Sequence, residues 1–270
     1  MKELKFEKKG FFKRISTMFE VDFRRMFTTP LFYIFLASAF MIPVLILVMT
    51  SSFGDATTID PVTGVEKEME MFTNVWQIIG STLSDQNGAG MSMDMTTMCN
   101  INLLFFIAPI LICINISEDF RSGYAKNLFT YRAKKVDYVI SKIFLGFVCA
   151  TYMLVVFFIG AMIGGAIAKL PFDLGSATAI SVLMCMLSKV FLMLVFISIV
   201  VVMSVIAKEK LWMSILLFMA TGMLLFMMIP SLTPLDATVI NVVLCLVGGV
   251  LFSIGLGAVS NTLLTKRNIL

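Results

Sequence analysis

A chain of 270 residues that is 59% hydrophobic and only 14% charged does not have the composition of a water-soluble domain, which is nearer half apolar and a quarter charged. Its net charge of +4 is no sign of nucleic-acid binding, because the basic residues gather where a membrane topology would put them. The chain has no histidine, which removes the commonest general base and metal ligand, and no GxxxxGK(S/T), which removes a phosphate-binding loop of its own.

The N-terminal segment comes first. Residues 10–29 read GFFKRISTMFEVDFRRMFTT. Phe11, Phe12, Ile15, Met18, Phe19, Phe23, Met26 and Phe27 recur at helical spacing, and Lys13, Arg14, Thr17, Glu20, Arg24 and Arg25 fall mostly on the opposite face. This predicts an amphipathic interface helix within 1–30, its basic groups near anionic lipid heads. It does not read as a cleavable leader, since no apolar stretch precedes a small-residue cleavage site. Thr29-Pro30 ends it. It reads equally well as an anchor and as a lever between the membrane and a cytoplasmic partner.

Six long apolar runs follow, at 31–50, 97–116, 141–168, 178–207, 211–229 and 239–264. About 20 mostly apolar residues carry a helix across a bilayer. Runs this continuously apolar are helices rather than barrel strands, which alternate every second residue. The predicted fold is an all-α membrane protein of six transmembrane helices spanning 31–270. Lys and Arg set the orientation: eight lie in 1–30, six in 117–142, two in 207–210 and two in the C-terminal tail, against Lys67 and Lys169 on the other side. Excess Lys and Arg mark the cytoplasmic side, so both termini are expected there. The opposite loops carry acids, among them Asp55, Asp60, Glu66, Glu68, Asp173 and Asp236.

Pro43 and Pro109 lie inside the first two runs and each removes a helical hydrogen bond. The outer loop 51–96 has two parts. Residues 71–83 place Met71, Phe72, Val75, Trp76, Ile79 and Leu83 on one helical face, with Trp76 suited to the outer interface. Met91, Met93, Met95 and Met98 then offer thioethers of the kind that hold Cu(I), although in a chain with 22 Met such clusters arise by chance. Asn100 and Asn102 open the second run and are candidates for a polar mouth on a transport pathway, or for a bond to a neighbouring helix.

Lys189 is the one charge written inside an apolar run. Two readings stand. Counted from Lys208 at about 1.5 Å per residue it lies near the outer surface and snorkels there; or it lines a pathway with Asn100 and Asn102. Gly160-x-x-x-Gly164, Gly249-x-x-x-Ser253 and Ser253-x-x-x-Gly257 offer small faces for close packing within one subunit or at a dimer seam. The five cysteines, Cys99, Cys113, Cys149, Cys185 and Cys245, form no CxxC pair and read as small packing residues.

The connection at 117–142 is the most informative polar stretch. Its sequence, SEDFRSGYAKNLFTYRAKKVDYVISK, sets aromatics among charges and predicts a short helix over Tyr124–Tyr131. Apolar anchors in a polar rim suit a docking surface; an ordinary inner loop rich in lysine is the plainer reading.

Here the chain resembles a family. Glu118-x-x-x-x-Gly123-Tyr124-x-Lys126-x-Leu128-x-Thr130, followed by Tyr138 and Ser141-Lys142, is similar to the first cytoplasmic connection of permease subunits of type-2 ABC exporters, the ABCG-like or type V transporters. Tyr124 stands where Thr is usual in that family, and Arg132 where Pro is common. The resemblance implies a coupling helix at 117–137 that docks on a separate ABC ATP-binding subunit, with Glu118, Asp119, Phe120, Arg121, Gly123 and Lys126 on the transmission surface. It implies two permease subunits, alike or different, with two ATPase subunits, in a bacterial plasma membrane. ATP and Mg would sit on the ATPase and no cofactor on this chain, which would be a transporter subunit rather than an enzyme. The cargo would be hydrophobic or amphipathic: a peptide, a drug or a lipid-like molecule. An ion-coupled carrier or channel, and a noncatalytic membrane scaffold, are the competing readings; the former usually places several ionisable groups at the membrane midplane.

Overall fold

The computed structural model describes residues 11–52, 57–59, 66–68, 72–81, 99–130, 134–175, 177–226 and 228–266. Helix α1 (Phe11–Thr28) buries Met18, Asp22 and Met26, one stripe at four-residue spacing. Helix α2 (Pro30–Ser52) follows, with Pro in its first turn, where a missing N–H costs nothing. A staircase of rings joins the two: Phe19–Phe23, Phe23–Phe27 and Phe27–Phe32 have centroids 5.5, 4.2 and 4.6 Å apart.

Two short strands, β1 (Thr57–Ile59) and β2 (Glu66–Glu68), then pair antiparallel with Thr57 opposite Glu68. Residues 71–83 were expected to show one helical face, and 72–81 of them are described. They form a 3₁₀ turn over Val75–Ile78, opened by a capping box between Asn74 and Gln77. Phe72, Val75, Ile78 and Ile79 are buried. Ile78 joins them because the tighter winding turns it inward; Met71 and Leu83 lie outside the described residues, as do Met91, Met93, Met95 and Met98. No group of His, Cys, Asp and Glu able to hold a metal occurs among the described residues.

A 3₁₀ turn (Ile101–Leu103), capped by Asn100, leads into α3 (Leu104–Arg121). Then come α4 (Tyr124–Thr130), α5 (Lys135–Ala168), α6 (Ala179–Ala207), α7 (Leu211–Phe226), α8 (Ile229–Leu232) and α9 (Val239–Lys266). Five helices, α2, Ile101–Arg121, α5, α6 and α9, are long and apolar enough to cross a membrane. This is a helical architecture compatible with a multi-pass membrane protein. The fifth apolar run is the exception: α7 has 16 residues. Pro230 explains the break, since it lacks the N–H that would bond the Phe226 carbonyl, and α8 starts afresh with that proline in its first turn.

Helix α6 sits at the centre, with Phe196–Val202 buried along an unbroken stretch and α3, α5, α7 and α9 around it. Helices α2 and α9 lie at the periphery and keep large apolar side chains outward, such as Ile34, Leu45, Ile240, Leu251 and Ile254. An apolar surface of that extent suits lipid rather than water. The small-residue faces pack within the chain. A Cβ on Gly160 would lie 2.5 Å from the Phe40 carbonyl oxygen, and one on Gly164 2.8 Å from Val44 Cα, so both admit α2 against α5. Gly249 similarly admits the Phe191 carbonyl of α6, and Ser253 meets Ser198 at 2.8 Å.

Candidate functional site

At the end of the helices that carries α1 and α4, called the basic end for its lysines and arginines, the chain buries charge. Lys142, in the second turn of α5, is fully buried. Its ammonium donates to Asp22 Oδ1 at 3.1 Å and Asn115 Oδ1 at 2.7 Å and pairs with the Asp119 carboxylate, Oδ2 lying 2.7 Å away. The ammonium thus has two hydrogen bonds and an ion pair within 3.1 Å. The acceptors are satisfied in turn. Asp22 Oδ2 accepts from Ser141 Oγ at 2.7 Å; Asp119 accepts from the Tyr138 hydroxyl at 3.1 Å and from Arg25 Nη1 at 2.8 Å.

Two carboxylates thus face two cations, and the cluster is neutral. It is built from α1 (Asp22, Arg25), the end of α3 (Asn115, Asp119) and the start of α5 (Tyr138, Ser141, Lys142). Helix α4 is tied in through Tyr124, whose ring lies 4.2 Å from the Arg25 guanidinium. Burial works against the charge of Arg25, but the Asp119 carboxylate, by charge and by hydrogen bond, holds its pKa above the ordinary value. Burial, with the Asp22 carboxylate beside it, also pushes the Tyr124 phenol up.

Two flanking contacts extend the cluster. Arg14 Nε donates to Asp137 Oδ2 at 3.0 Å, in the first turn of α5, where a carboxylate also suits the helix dipole. Lys135 Nζ donates to the Leu264 carbonyl at 2.8 Å and so ties the end of α9 to the start of α5.

The residues predicted for the transmission surface divide by direction. Helix α3 runs on to Arg121, so Glu118, Asp119 and Phe120 ride on its last turn rather than on a loop. Asp119 and Phe120 point inward and are buried, whereas Glu118, Arg121 and Lys126 are exposed. Gly123 makes the turn between α3 and α4 with φ +73°, a left-handed conformation natural to glycine. Its N–H bonds the Phe120 carbonyl at 3.2 Å and its carbonyl accepts from Asn127 N at 3.0 Å. The α4 helix covers Tyr124–Thr130; Tyr131 and Arg132 lie outside the described residues.

The pathway candidates lie at the far end. Asn102 and Lys189 are together: Lys189 Nζ donates to Asn102 Oδ1 and to Thr233 Oγ1, both at 2.9 Å, and Lys189 is fully buried. Snorkelling to the surface is therefore corrected: neutral oxygens within the fold hold the ammonium. Asn100 caps the 3₁₀ turn, its Oδ1 accepting from Asn102 N at 2.9 Å.

Asp22 escaped sequence reasoning, and a signal for it existed. It sits midway along the Met18–Asp22–Met26 stripe, a lone acid on an apolar face. Thr233 carried no comparable signal, being one of several hydroxyls near a helix break. Against known proteins, the chain matches no protein family, no curated protein and no solved structure.

Proposed function

We propose that this chain is the membrane-spanning permease subunit of an ATP-driven ABC exporter, crossing the membrane six times with both termini in the cytoplasm. The observation that carries the reading is the Lys142 cluster. It fastens a short polar helix, α4, and an amphipathic helix, α1, to the ends of two long apolar helices, while Glu118, Arg121 and Lys126 remain free to meet a partner. A load applied to α1 reaches α3 and α5 through the Asp22–Lys142 and Arg25–Asp119 pairs, and one applied to α4 reaches the same cluster through the Tyr124–Arg25 contact. The resemblance of residues 118–142 to the family's first cytoplasmic connection supports the same reading, and so does the positive-inside pattern that places this end in the cytoplasm. In this reading α7 and α8 together make the fifth crossing, two such subunits enclose a path for a hydrophobic or amphipathic cargo, and the partner ATPase binds ATP and Mg.

The test is reconstitution. The chain is purified with a candidate ABC ATP-binding subunit and placed in liposomes, and ATP hydrolysis and export of labelled amphipathic peptides are followed together. Hydrolysis stimulated by cargo, with export that stops on removing ATP, is the expected result. Transport driven by an ion gradient without ATP would overturn the reading in favour of a carrier.

A further inference from the structure

On the far side of the bundle a turn with little regular structure of its own packs against α6. Residues 228–237 contain one helical turn, α8, bounded by Pro230 inside it and Pro234 after it. The turn is packed in place, with Ile229, Thr233, Leu235 and Ala237 buried, and several hydrogen bonds tie it to its neighbours. Leu235 N donates to the Ser81 carbonyl at 2.9 Å; Cys185 Sγ donates to the Thr233 carbonyl at 3.4 Å; Asn241 Nδ2 reaches the Leu232 carbonyl at 3.4 Å. The strongest is the charge-assisted bond from Lys189 to Thr233 Oγ1, and the same ammonium grips Asn102 at the head of α3. Lys189 lies ten residues inside α6, about 15 Å from its start. Gly80 packs beside the junction, near Leu235 N, Cys185 Sγ and the Thr233 carbonyl.

A lysine is a costly way to fasten a turn. Well-packed apolar residues commonly do as well or better than buried charge, because the charge must leave water. What an ammonium adds is a second favourable state. Once its partners move away and water enters, a flexible four-carbon stem carries it into that water. The fastening is strong when dry and weak when wet, which is the behaviour of a catch rather than a weld.

We propose that Lys189, Asn102 and Thr233 form a latch that holds the 228–237 turn shut against the flank of α6 and the head of α3, and that the turn lifts when the latch parts. That this end faces outward rests on the proposed orientation; the latch does not. Cys185 is the native reporter. It is fully buried against the turn and becomes reachable when the turn lifts.

The experiment uses the full chain in right-side-out and inside-out vesicles, with Cys99, Cys113, Cys149 and Cys245 replaced by alanine and a membrane-impermeant maleimide added. With Lys189 in place, Cys185 labels slowly. Lys189→Met, which removes both bonds of the ammonium, and, separately, Thr233→Val, which removes the bond from Lys189 together with the hydroxyl's bond to the Ile229 carbonyl, each raise the labelling rate at least about tenfold, since each loses at least one hydrogen bond to a charged group. Thr233→Val keeps the Lys189–Asn102 bond, so it decides the matter if Lys189→Met does not fold. Labelling at the parent rate in the folded variants overturns the latch. So does an equal acceleration at Cys149, retained alone in a parallel set, because it reports general loosening. Acceleration confined to inside-out vesicles keeps the latch and overturns the proposed orientation.

Discussion

Lys142 and Asp119 meet at 2.7 Å with both side chains shielded completely from solvent, 23 positions apart in sequence and on different helices. Removing one partner of such a pair strands the other in a poorly solvated interior, at a cost of about 3–5 kcal/mol. Lys142→Met should therefore lower unfolding stability by that order, measured in detergent by denaturant titration. Combined with Asp119→Asn it should lose less than the two single losses added, because the second change discharges the stranded carboxylate. Strict additivity would mean that the pair does not interact. Lys142→Arg should not restore the parent stability, since a planar fork cannot serve three converging oxygens as an ammonium does.

Gly123 has positive φ, and a Cβ there would meet nothing within 4 Å. The cost of Gly123→Ala is then purely one of backbone conformation, about 1 kcal/mol, and Gly123→Asn should cost less. Proline cannot adopt the conformation at all. In the proposed transporter, Gly123→Pro should leave assembly largely intact but uncouple ATP hydrolysis from export; unchanged export would count against α4 as the transmitting element.

Gly160 and Gly248 make a matched pair. A methyl at Gly160 runs into the backbone of α2, whereas one at Gly248 meets open space. Gly160→Ala should destabilise by about 1–3 kcal/mol through overpacking. Gly248→Ala should be neutral or stabilise by up to about 1 kcal/mol through helix propensity. Thermal unfolding of the two variants side by side checks this.

Lys208 ends α6 with φ 54° and ψ −115°, a backbone conformation that glycine occupies easily and lysine does not. Lys208→Gly should raise stability by about 1 kcal/mol, visible as a higher unfolding temperature. No gain would mean that the side chain makes a compensating contact.

Glu118, Arg121 and Lys126 are exposed, so reversing their charges should change stability by no more than about 0.5 kcal/mol each. In the proposed complex the triple reversal should abolish co-purification of the ATPase. Retained binding would move the docking surface elsewhere.

Much of the fold was legible because apolar runs in a membrane-type sequence need no partner to be read. Leu31, Ile143 and Val239 each begin a stretch whose length alone implies a helix. In the outer loop Phe72, Val75 and Ile79 are buried as the spacing implied, but the spacing gave no sign that the helical part would be a single 3₁₀ turn. The break at Phe226 was available in Pro230, four residues on. The charged cluster was half visible. Tyr138 and Ser141-Lys142 stood out by motif and Asp119 by position, but that Asp22 meets Lys142 depends on how α1 crosses α5, a packing choice with no local signature. The same holds for Lys189, whose partners lie 87 and 44 positions away.

An amphipathic helix at the start of a membrane protein is ordinarily expendable, a fender against the lipid surface. Here Asp22 makes it otherwise. Shortening the chain past that position would withdraw a carboxylate from beneath the third long helix and leave an ammonium reaching for a group that is gone. Trimmed or re-tagged versions of this protein therefore need to keep Asp22, the acceptor that the buried ammonium depends on.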